Sequence, residues 1–185
     1  MSEYDEPVPA LGMVVDEGRG SLPYSLLHGE SLIACASWAL GDSGVTPVDF
    51  SVSWAGIKAA DEPFVLHDVL CPMTPASFLG ECLAAAVESD SVVIGFRTVT
   101  DTVKVVTDGF VGDTVDRATL RSVASPIVLP ASVVAELDDL PSRDFVELAH
   151  ALEARFPVTW LEAPPQARRI GSLDDLKVLE ALTAR

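Results

Sequence analysis

Five short segments, spread between residues 67 and 176, combine carboxylates, hydroxyls and arginines in a fixed order. They are His67-Asp68 with Pro72, residues 99–104 (VTDTVK), 114–117 (TVDR), Ser125-Pro126, and 169–176 (RIGSLDDL). Arginine is suited to contacting phosphate through two parallel hydrogen bonds, and carboxylates can bind metals or act as bases. Each segment is a weak signal by itself, and the order and spacing of all five form the stronger signal.

This order and spacing resembles the methylerythritol-phosphate cytidylyltransferase family, whose corresponding segments read roughly HDAARP, VTDTIK, T-x-DR, TPQ and NIKITTPEDL. The resemblance covers residues 61–182. It implies a nucleotidyltransferase fold. In the family, a cytidylyl group passes from CTP to methylerythritol phosphate with Mg²⁺, in isoprenoid precursor synthesis. The resemblance also implies a homodimer, because the family's segment corresponding to residues 100–130 is a β arm that carries residues into the partner's active site.

The acceptor side of the family's site is matched best. The resemblance assigns Thr102, Arg117 and Ser125, the last in place of a threonine, to the polar set around methylerythritol phosphate. It assigns Arg169 to the position of a lysine that neutralises charge during transfer, and arginine keeps that charge. We therefore expect a site for a phosphorylated small molecule. The alternative is that Arg117 pairs with carboxylates of the arm and fixes the dimer.

The loop expected to hold the nucleotide departs from the family. The family has a glycine-rich loop that ends in Pro-Lys, and residues 16–24 (DEGRGSLPY) stand in its place. Gly18 and Gly20 remain as candidate binding positions and Arg19 as a cationic remnant, but the loop is shorter and tyrosine replaces the lysine. A carboxylate about 4 Å from a phosphate costs about 1 kcal/mol in bulk water and about 4 kcal/mol at an effective dielectric constant of about 20. The two acidic residues of this loop predict weak triphosphate binding, and the alternative is a simple acidic surface turn.

Two further parts of the nucleotide site differ. After a strand expected over 48–54, the family has a helix with an Arg-x-x-Ser pair that contacts the nucleotide, and we expect this helix to be missing. Asp68 matches the family's aspartate beside the nucleotide and its metal, so it could bind Mg²⁺ through water. The arginine expected before Pro72 is Cys71, however, and one carboxylate is not a metal site. The alternative role for Asp68 is to cap the loop before the next helix.

Strands alternate with helices along most of the chain, which predicts an α/β, Rossmann-like sheet covered by helices on both faces. Strands are predicted over 10–15, 48–54, 63–66, 91–97 and 158–161. Helices are predicted over about 30–40 and 74–88, with others opening at Pro130, Ser142 and Ser172. Residues 1–9 should form a frayed tail, 100–130 a polar β insertion, and 1–185 one domain. The three tryptophans each fit a core face.

The composition is that of an acidic globular protein. Of the 185 residues 49% are hydrophobic and 22% are charged, and the net charge is −16. This charge argues against binding nucleic acid or an anionic membrane through a basic surface. No apolar run approaches about 18 residues, so neither a membrane span nor a signal peptide is expected. Three cysteines without C-x-x-C spacing fit a reduced cytoplasmic compartment.

The sequence thus predicts a shortened, degenerate relative of the cytidylyltransferases. We expect a homodimer that binds a phosphorylated small molecule, has little or no transferase activity and needs no cofactor. The alternative is a working enzyme that makes CDP-methylerythritol from CTP and methylerythritol phosphate with Mg²⁺. A third possibility is a transferase that uses a smaller or different nucleotide.

Overall fold

The structure of the protein, a computed structural model, describes residues 7–99, 104–107, 110–114 and 120–184. Six strands form the central sheet in the order β10-β6-β9-β5-β1-β4. They are β1 (Leu11–Val15), β4 (Thr46–Pro47), β5 (Phe64–Asp68), β6 (Val92–Thr98), β9 (Arg121–Leu129) and β10 (Val158–Glu162). Strand β9 runs antiparallel to β5 and β6, and the other pairings are parallel.

Helices cover both faces of this sheet, as predicted. They are α1 (Leu32–Asp42), α2 (Trp54–Ala60), α3 (Ala76–Ser89), α4 (Ala131–Glu136), α5 (Phe145–Glu153) and α6 (Leu173–Leu182). Alternate residues of each strand point to opposite faces. Phe64 and Leu66 pack with residues of α2, α4 and α5, whereas Val65 between them packs with α1 and α3. The sheet is therefore buried on both sides, which explains its short and largely apolar strands.

Helix α2 corrects the predicted strand over residues 48–54. Val48, Phe50, Val52 and Trp54 alternate with polar residues, yet residues 48–53 form a loop with a turn at 50–51, and Trp54 begins a helix. The Ser53 hydroxyl accepts a hydrogen bond from the N–H of Gly56 at 3.2 Å and so caps this helix. The first backbone N–H groups of a helix lack partners within the helix, and the side chain of a capping serine accepts a hydrogen bond from one of them. Ser53 therefore favours the start of a helix within this apolar alternation. A short helix is thus present where the sequence predicted a strand and a short crossing.

Two small hairpins stand outside the central sheet. Strands β2 (Leu26–Leu27) and β3 (Glu30–Ser31) pair before α1, and β7 (Lys104–Thr107) pairs with β8 (Phe110–Thr114). The second hairpin belongs to the segment predicted as a β insertion. Thr102 and Arg117, predicted to bind substrate, lie outside the described residues, as do residues 1–6 of the predicted tail.

Candidate functional site

Asp68 lies at the carboxyl end of β5, beside the end of β1, with Val15 as its register partner. In an open α/β sheet, ligands bind outside the carboxyl ends of the strands. The Asp68 carboxylate is only 1% exposed and lies between two arginines. Its Oδ1 accepts from Arg19 Nε at 3.3 Å and from the N–H of Leu70 at 3.0 Å, and its Oδ2 contacts Arg169 at 3.2 Å. Both oxygens are therefore bonded within the protein.

Arg19 points inward from the loop that follows β1. Its side chain is 5% exposed, and its other nitrogens donate to the carbonyls of Glu17 at 2.7 Å and Arg143 at 2.9 Å. The guanidinium also lies 5.8 Å from the ring centroid of Phe145. Its donors are thus used inside the protein. The cation predicted as a remnant of the nucleotide loop binds Asp68 instead of facing an incoming triphosphate.

The geometry of this loop explains how Arg19 reaches Asp68. Gly18 and Gly20 have φ angles of +75° and +61°, a region that glycine enters without steric cost. Two such residues on either side of Arg19 fold the loop back over the strand ends. On the outside, Arg143 Nε and Glu17 Oε2 form an exposed ion pair at 2.7 Å that ties the loop to the segment before α5.

Ser125 lies beside this cluster, in β9, but is fully buried. Its Oγ accepts the N–H of Asp68 at 3.0 Å and shares a hydrogen bond with His67 Nδ1 at 2.6 Å. Burial lowers the pKa of His67 to about 4, so this imidazole is neutral at pH 7. Ser125 was predicted to contact substrate, and in this structure its hydroxyl bonds to residues of β5.

A second group of arginines lines a cavity of about 330 Å³ next to Arg169. It contains Arg97 from the end of β6 and Arg168 from the segment before α6, with Thr98 and Ser122 beside them. Arg97 donates to the carbonyl of Ala163 at 2.6 Å, which fixes its position. Because the chain has only 12 basic residues against 28 acidic ones, three arginines around one cavity are a local concentration of positive charge.

These residues show what the sequence reasoning found and missed. The structure brings Arg19, Asp68 and Arg169 together, and it places Gly18 and Gly20 in the loop over them. Arg97, Arg143 and Arg168 were missed. The Arg168-Arg169 pair could have been noticed as a basic dipeptide in an acidic chain. Nothing near residue 143 in the sequence indicates its contact with Arg19.

The site does not fit a bound Mg²⁺ ion. Magnesium prefers oxygen ligands and is usually held by one or two carboxylates. Both oxygens of Asp68 are engaged by arginines, and the described residues contain no group of three His, Cys, Asp or Glu side chains that could hold a metal. The hydrogen bond from the N–H of Leu70 to Asp68 instead matches the loop-capping role weighed for this residue.

The α2 helix also lacks the arginine of the expected Arg-x-x-Ser pair. Phe50 stands three residues before Ser53, and its side chain is exposed. Lys58, within the helix, donates to the carbonyl of Leu137 at 3.0 Å, and Trp54 Nε1 donates to the same carbonyl at 2.8 Å. The basic residue of α2 therefore anchors the helix to the end of α4.

The sheet order, the single antiparallel strand and the charged cluster at the strand ends define a nucleotidyltransferase-type α/β domain. Among solved structures, 2-C-methyl-D-erythritol 4-phosphate cytidylyltransferase from Thermus thermophilus matches with a TM-score of 0.68 at 19% identity, covering 94% of this chain and 98% of that one. The 4-diphosphocytidyl-2C-methyl-D-erythritol synthase of Anaerococcus prevotii matches with a TM-score of 0.66 at 14% identity, covering 96% of each chain.

Sequence comparison identifies the family. The family model of 2-C-methyl-D-erythritol 4-phosphate cytidylyltransferase matches residues 42–153, and this chain belongs to that family. The cytidylyltransferase of Nocardia farcinica is 32% identical over 136 residues, which is 71% of this chain and 58% of that protein. The one from Frankia casuarinae is 33% identical over 136 residues, 70% of this chain and 50% of that protein. The chain thus spans between half and three fifths of these relatives.

Membership and fold confirm two of the sequence-based predictions. The predicted family is correct, and so is the α/β sheet of the nucleotidyltransferase type. The three cysteines are free thiols. Within the described ranges, no helix combines the length and apolarity that crossing a membrane requires.

Proposed function

We propose that this protein is a family member that binds a phosphorylated small molecule without transferring a nucleotide to it. One observation carries the proposal: the Asp68 carboxylate is enclosed between Arg19 and Arg169. Cytidylyl transfer depends on cations that stabilise charge developing at the α-phosphate. Here the cation of the nucleotide loop and the carboxylate beside the family's metal neutralise each other.

Opening this pair for a nucleotide would be expensive. Removing one partner from a buried ion pair typically costs about 3–5 kcal/mol, and we expect about 2–3 kcal/mol here because Asp68 keeps Arg169. The incoming triphosphate would also meet the carboxylates of Asp16 and Glu17 at the mouth of the loop. We therefore expect CTP with Mg²⁺ to bind more weakly than about 1 mM, which corresponds to about −4 kcal/mol.

The arginine cavity is the proposed ligand site. Its volume of about 330 Å³ lies at the lower end of the range for small-molecule pockets, about 300–1,000 Å³. Arg168 lines it together with Arg97 and Arg169, so a phosphate there could accept several charge-assisted hydrogen bonds. The relatives are named for 2-C-methyl-D-erythritol 4-phosphate, and this compound is the first ligand to test.

The test is calorimetry and thermal melting with methylerythritol phosphate, inorganic phosphate and CTP, each with Mg²⁺ and with EDTA. A ligand at about 100 times its Kd stabilises the folded state by about 2.7 kcal/mol. At about 2–4 °C per kcal/mol for a chain of this size, Tm should rise by about 5–11 °C with methylerythritol phosphate, equally in EDTA. Arg168→Met should weaken binding about tenfold or more, because it removes a charged donor.

Arg155→Met is the matched control, because Arg155 is exposed and contacts Phe156 away from the cavity. It removes the same charge and should leave binding unchanged. An unaltered Tm at millimolar methylerythritol phosphate and inorganic phosphate would reject the anion site. Equal losses in both variants would show that only overall charge matters.

The second candidate function is active cytidylyl transfer that makes CDP-methylerythritol from CTP, methylerythritol phosphate and Mg²⁺. Membership of the family and the names of the relatives favour it. A turnover assay with a radiolabelled α-phosphate of CTP distinguishes the two. Micromolar binding of CTP, or Mg²⁺-dependent turnover that Arg169→Ala abolishes, would establish the enzyme and overturn the non-catalytic proposal.

We also propose a homodimer formed through the β7–β8 hairpin. This hairpin is a separate two-stranded sheet, and isolated two-stranded hairpins are only marginally stable in water. Packing against a second subunit would supply the missing burial. Sedimentation equilibrium should give a dimer at micromolar concentration, and deletion of residues 104–116 should give a monomer or an aggregate. A monomeric intact protein would rule the arm out.

A further inference from the structure

A larger cavity lies apart from the arginine cluster. It has a volume of about 640 Å³ and opens between α1, the β2–β3 hairpin and the start of α3. Its wall is mostly apolar, formed by Leu27, Ala39, Pro72, Met73 and Pro75. It is about twice the size of the arginine cavity and shares no lining residue with it. The proposed function does not use it.

The wall of this cavity is held in place before any ligand binds. The turn between β2 and β3 has positive φ at both central residues, +51° at His28 and +85° at Gly29, as a tight type I′ hairpin turn requires. From this turn His28 Nε2 bonds to Thr183 Oγ1 at 2.7 Å, and the His28 N–H donates to the Glu180 carboxylate at 2.9 Å. These bonds connect the hairpin to the C-terminal end of α6.

The polar side chains at this cavity include two carboxylates and a tryptophan, beside His28, Cys35, Thr74 and Thr183. Trp38, on α1, is 56% exposed although it is one of the largest apolar side chains. Glu30 and Asp42 stand at the two ends of the same wall, and no lysine or arginine is among the described lining residues. Burial, and then the charge of Glu30, raise the pKa of the Cys35 thiol.

We propose that this cavity binds a small organic cation with an apolar body, such as an aromatic or alkyl ammonium ion. The face of a tryptophan attracts cations more strongly than other aromatic rings, and Trp38 offers an exposed one. An apolar body of moderate size would cover Leu27 and Met73, since pockets of about 300–1,000 Å³ hold drug-sized molecules. Glu30 and Asp42 would repel an anion and would gain nothing from a neutral ligand.

The probe is benzyltrimethylammonium, with benzyl alcohol as its neutral counterpart and phenylacetate as its anionic counterpart. Calorimetry and tryptophan fluorescence should show saturable binding of the cation, weaker binding of the alcohol and none of the carboxylate. Trp38→Ala should weaken cation binding about 3- to 30-fold, and Trp38→Phe should restore part of the loss, because phenylalanine keeps a weaker ring face. Circular dichroism confirms that each variant is folded.

Charge controls separate a built site from general attraction to an acidic protein. Glu30→Gln with Asp42→Asn should weaken cation binding about tenfold, whereas Glu88→Gln with Asp138→Asn removes two exposed acids outside the cavity lining and should leave binding unchanged. Equal losses in the two pairs would overturn the proposal. Phenylacetate binding with the same affinity as the cation would also overturn it. So would the absence of cation binding at a probe concentration about 10 times a millimolar Kd.

Two further outcomes decide against this occupant. If sedimentation shows self-association that Trp38→Ala abolishes, the face is an interface between copies of the chain and not a ligand site. Arg168→Met, in the other cavity, should leave binding of the ammonium probe unchanged. A loss in that variant would mean that the probe reports on the arginine cavity, so the two proposals fail or succeed separately.

Discussion

Replacing Arg19 by methionine tests whether the loop after β1 is closed by a buried ion pair. Methionine keeps most of the side chain's length and apolar volume but removes the guanidinium. The substitution therefore deletes the 3.3 Å contact with Asp68 and the hydrogen bonds to the carbonyls of Glu17 and Arg143. The variant leaves Asp68 with Arg169 and the N–H of Leu70.

The size of the change in the free energy of unfolding depends on the contacts that Asp68 keeps. Breaking a buried ion pair usually costs about 3–5 kcal/mol, when the second charge is left unpaired. Since Asp68 keeps one arginine, we expect a smaller loss of about 2–3 kcal/mol in the free energy of unfolding. For a chain of this length, this lowers Tm by about 4–12 °C.

Urea denaturation followed by circular dichroism measures the loss, and Arg143→Met is its control. The side chains of Arg143 and Glu17 are 39% and 63% exposed, and exposed ion pairs contribute about 0–1 kcal/mol. A double-mutant cycle of Arg19→Met with Asp68→Asn then isolates the coupling between the two buried groups.

A loss below about 1 kcal/mol for Arg19→Met, equal to that of Arg143→Met, would refute the reasoning. Arg19 would then act as a surface residue that leaves Asp68 at little cost. In that case the loop could open for a nucleotide, and the main energetic argument against transferase activity would fail. A large loss with no coupling to Asp68 would assign the effect to the two carbonyl contacts alone.

Four other positions test the sheet, a helix interior and a helix cap. Burial lowers the pKa of His67 from 6.5 to about 4. The free energy of unfolding is therefore at its full value above pH 6.5, and it falls by up to about 3 kcal/mol as the pH drops from 6.5 to about 4, because only the unfolded state binds a proton there. Urea titrations of His67→Gln should lose that pH dependence, and a profile parallel to the parent's contradicts the buried neutral imidazole. Gly95→Ala places a Cβ atom 2.6 Å from the carbonyl oxygen of Ser125 and should lower the free energy of unfolding by close to the upper end of about 1–3 kcal/mol. Gly80→Ala meets open space in α3 and should raise it by up to about 1 kcal/mol. Thermal melts that rank the two variants otherwise would disprove the close approach at Gly95. Asp144→Ala removes two capping hydrogen bonds from α5 and should lower the free energy of unfolding by about 1 kcal/mol in urea denaturation. An unchanged free energy would show that the cap does not form.

The sequence predicts most elements of this fold because local signals and burial agree. The spacing of Leu32, Ala36 and Leu40 predicts α1, and all three are buried. Ser172 caps α6 as predicted, accepting the N–H of Asp175 at 3.2 Å. At α3 the predicted cap was off by one residue, because Thr74 bonds back to the carbonyl of Cys71 and Pro75 takes the capping position.

Where local signals conflict, the sequence misleads. The alternation from Val48 to Trp54 is typical of a strand, but Ser53 caps a helix and Trp54 bonds to the end of α4 across 83 residues of sequence. Trp38 fits the helical spacing of a core face, yet it is exposed beside the large cavity. Tertiary contacts of this kind have no local signature, so neither the α2 helix nor the exposed tryptophan could be predicted from periodicity.

The departures from the family at the nucleotide loop form one consistent arrangement. A carboxylate as buried as Asp68 needs a cation, because an unpaired buried charge is strongly destabilising. In the shortened loop, Gly18 and Gly20 turn the chain so that Arg19 supplies this cation from 49 residues away in the sequence. The charge of Arg19 is thus directed toward the protein's own sheet. The loss of the lysine, the gain of Arg19 and the shorter loop therefore support the same proposal: a closed strand end, with phosphate binding left to the arginine cavity beside it.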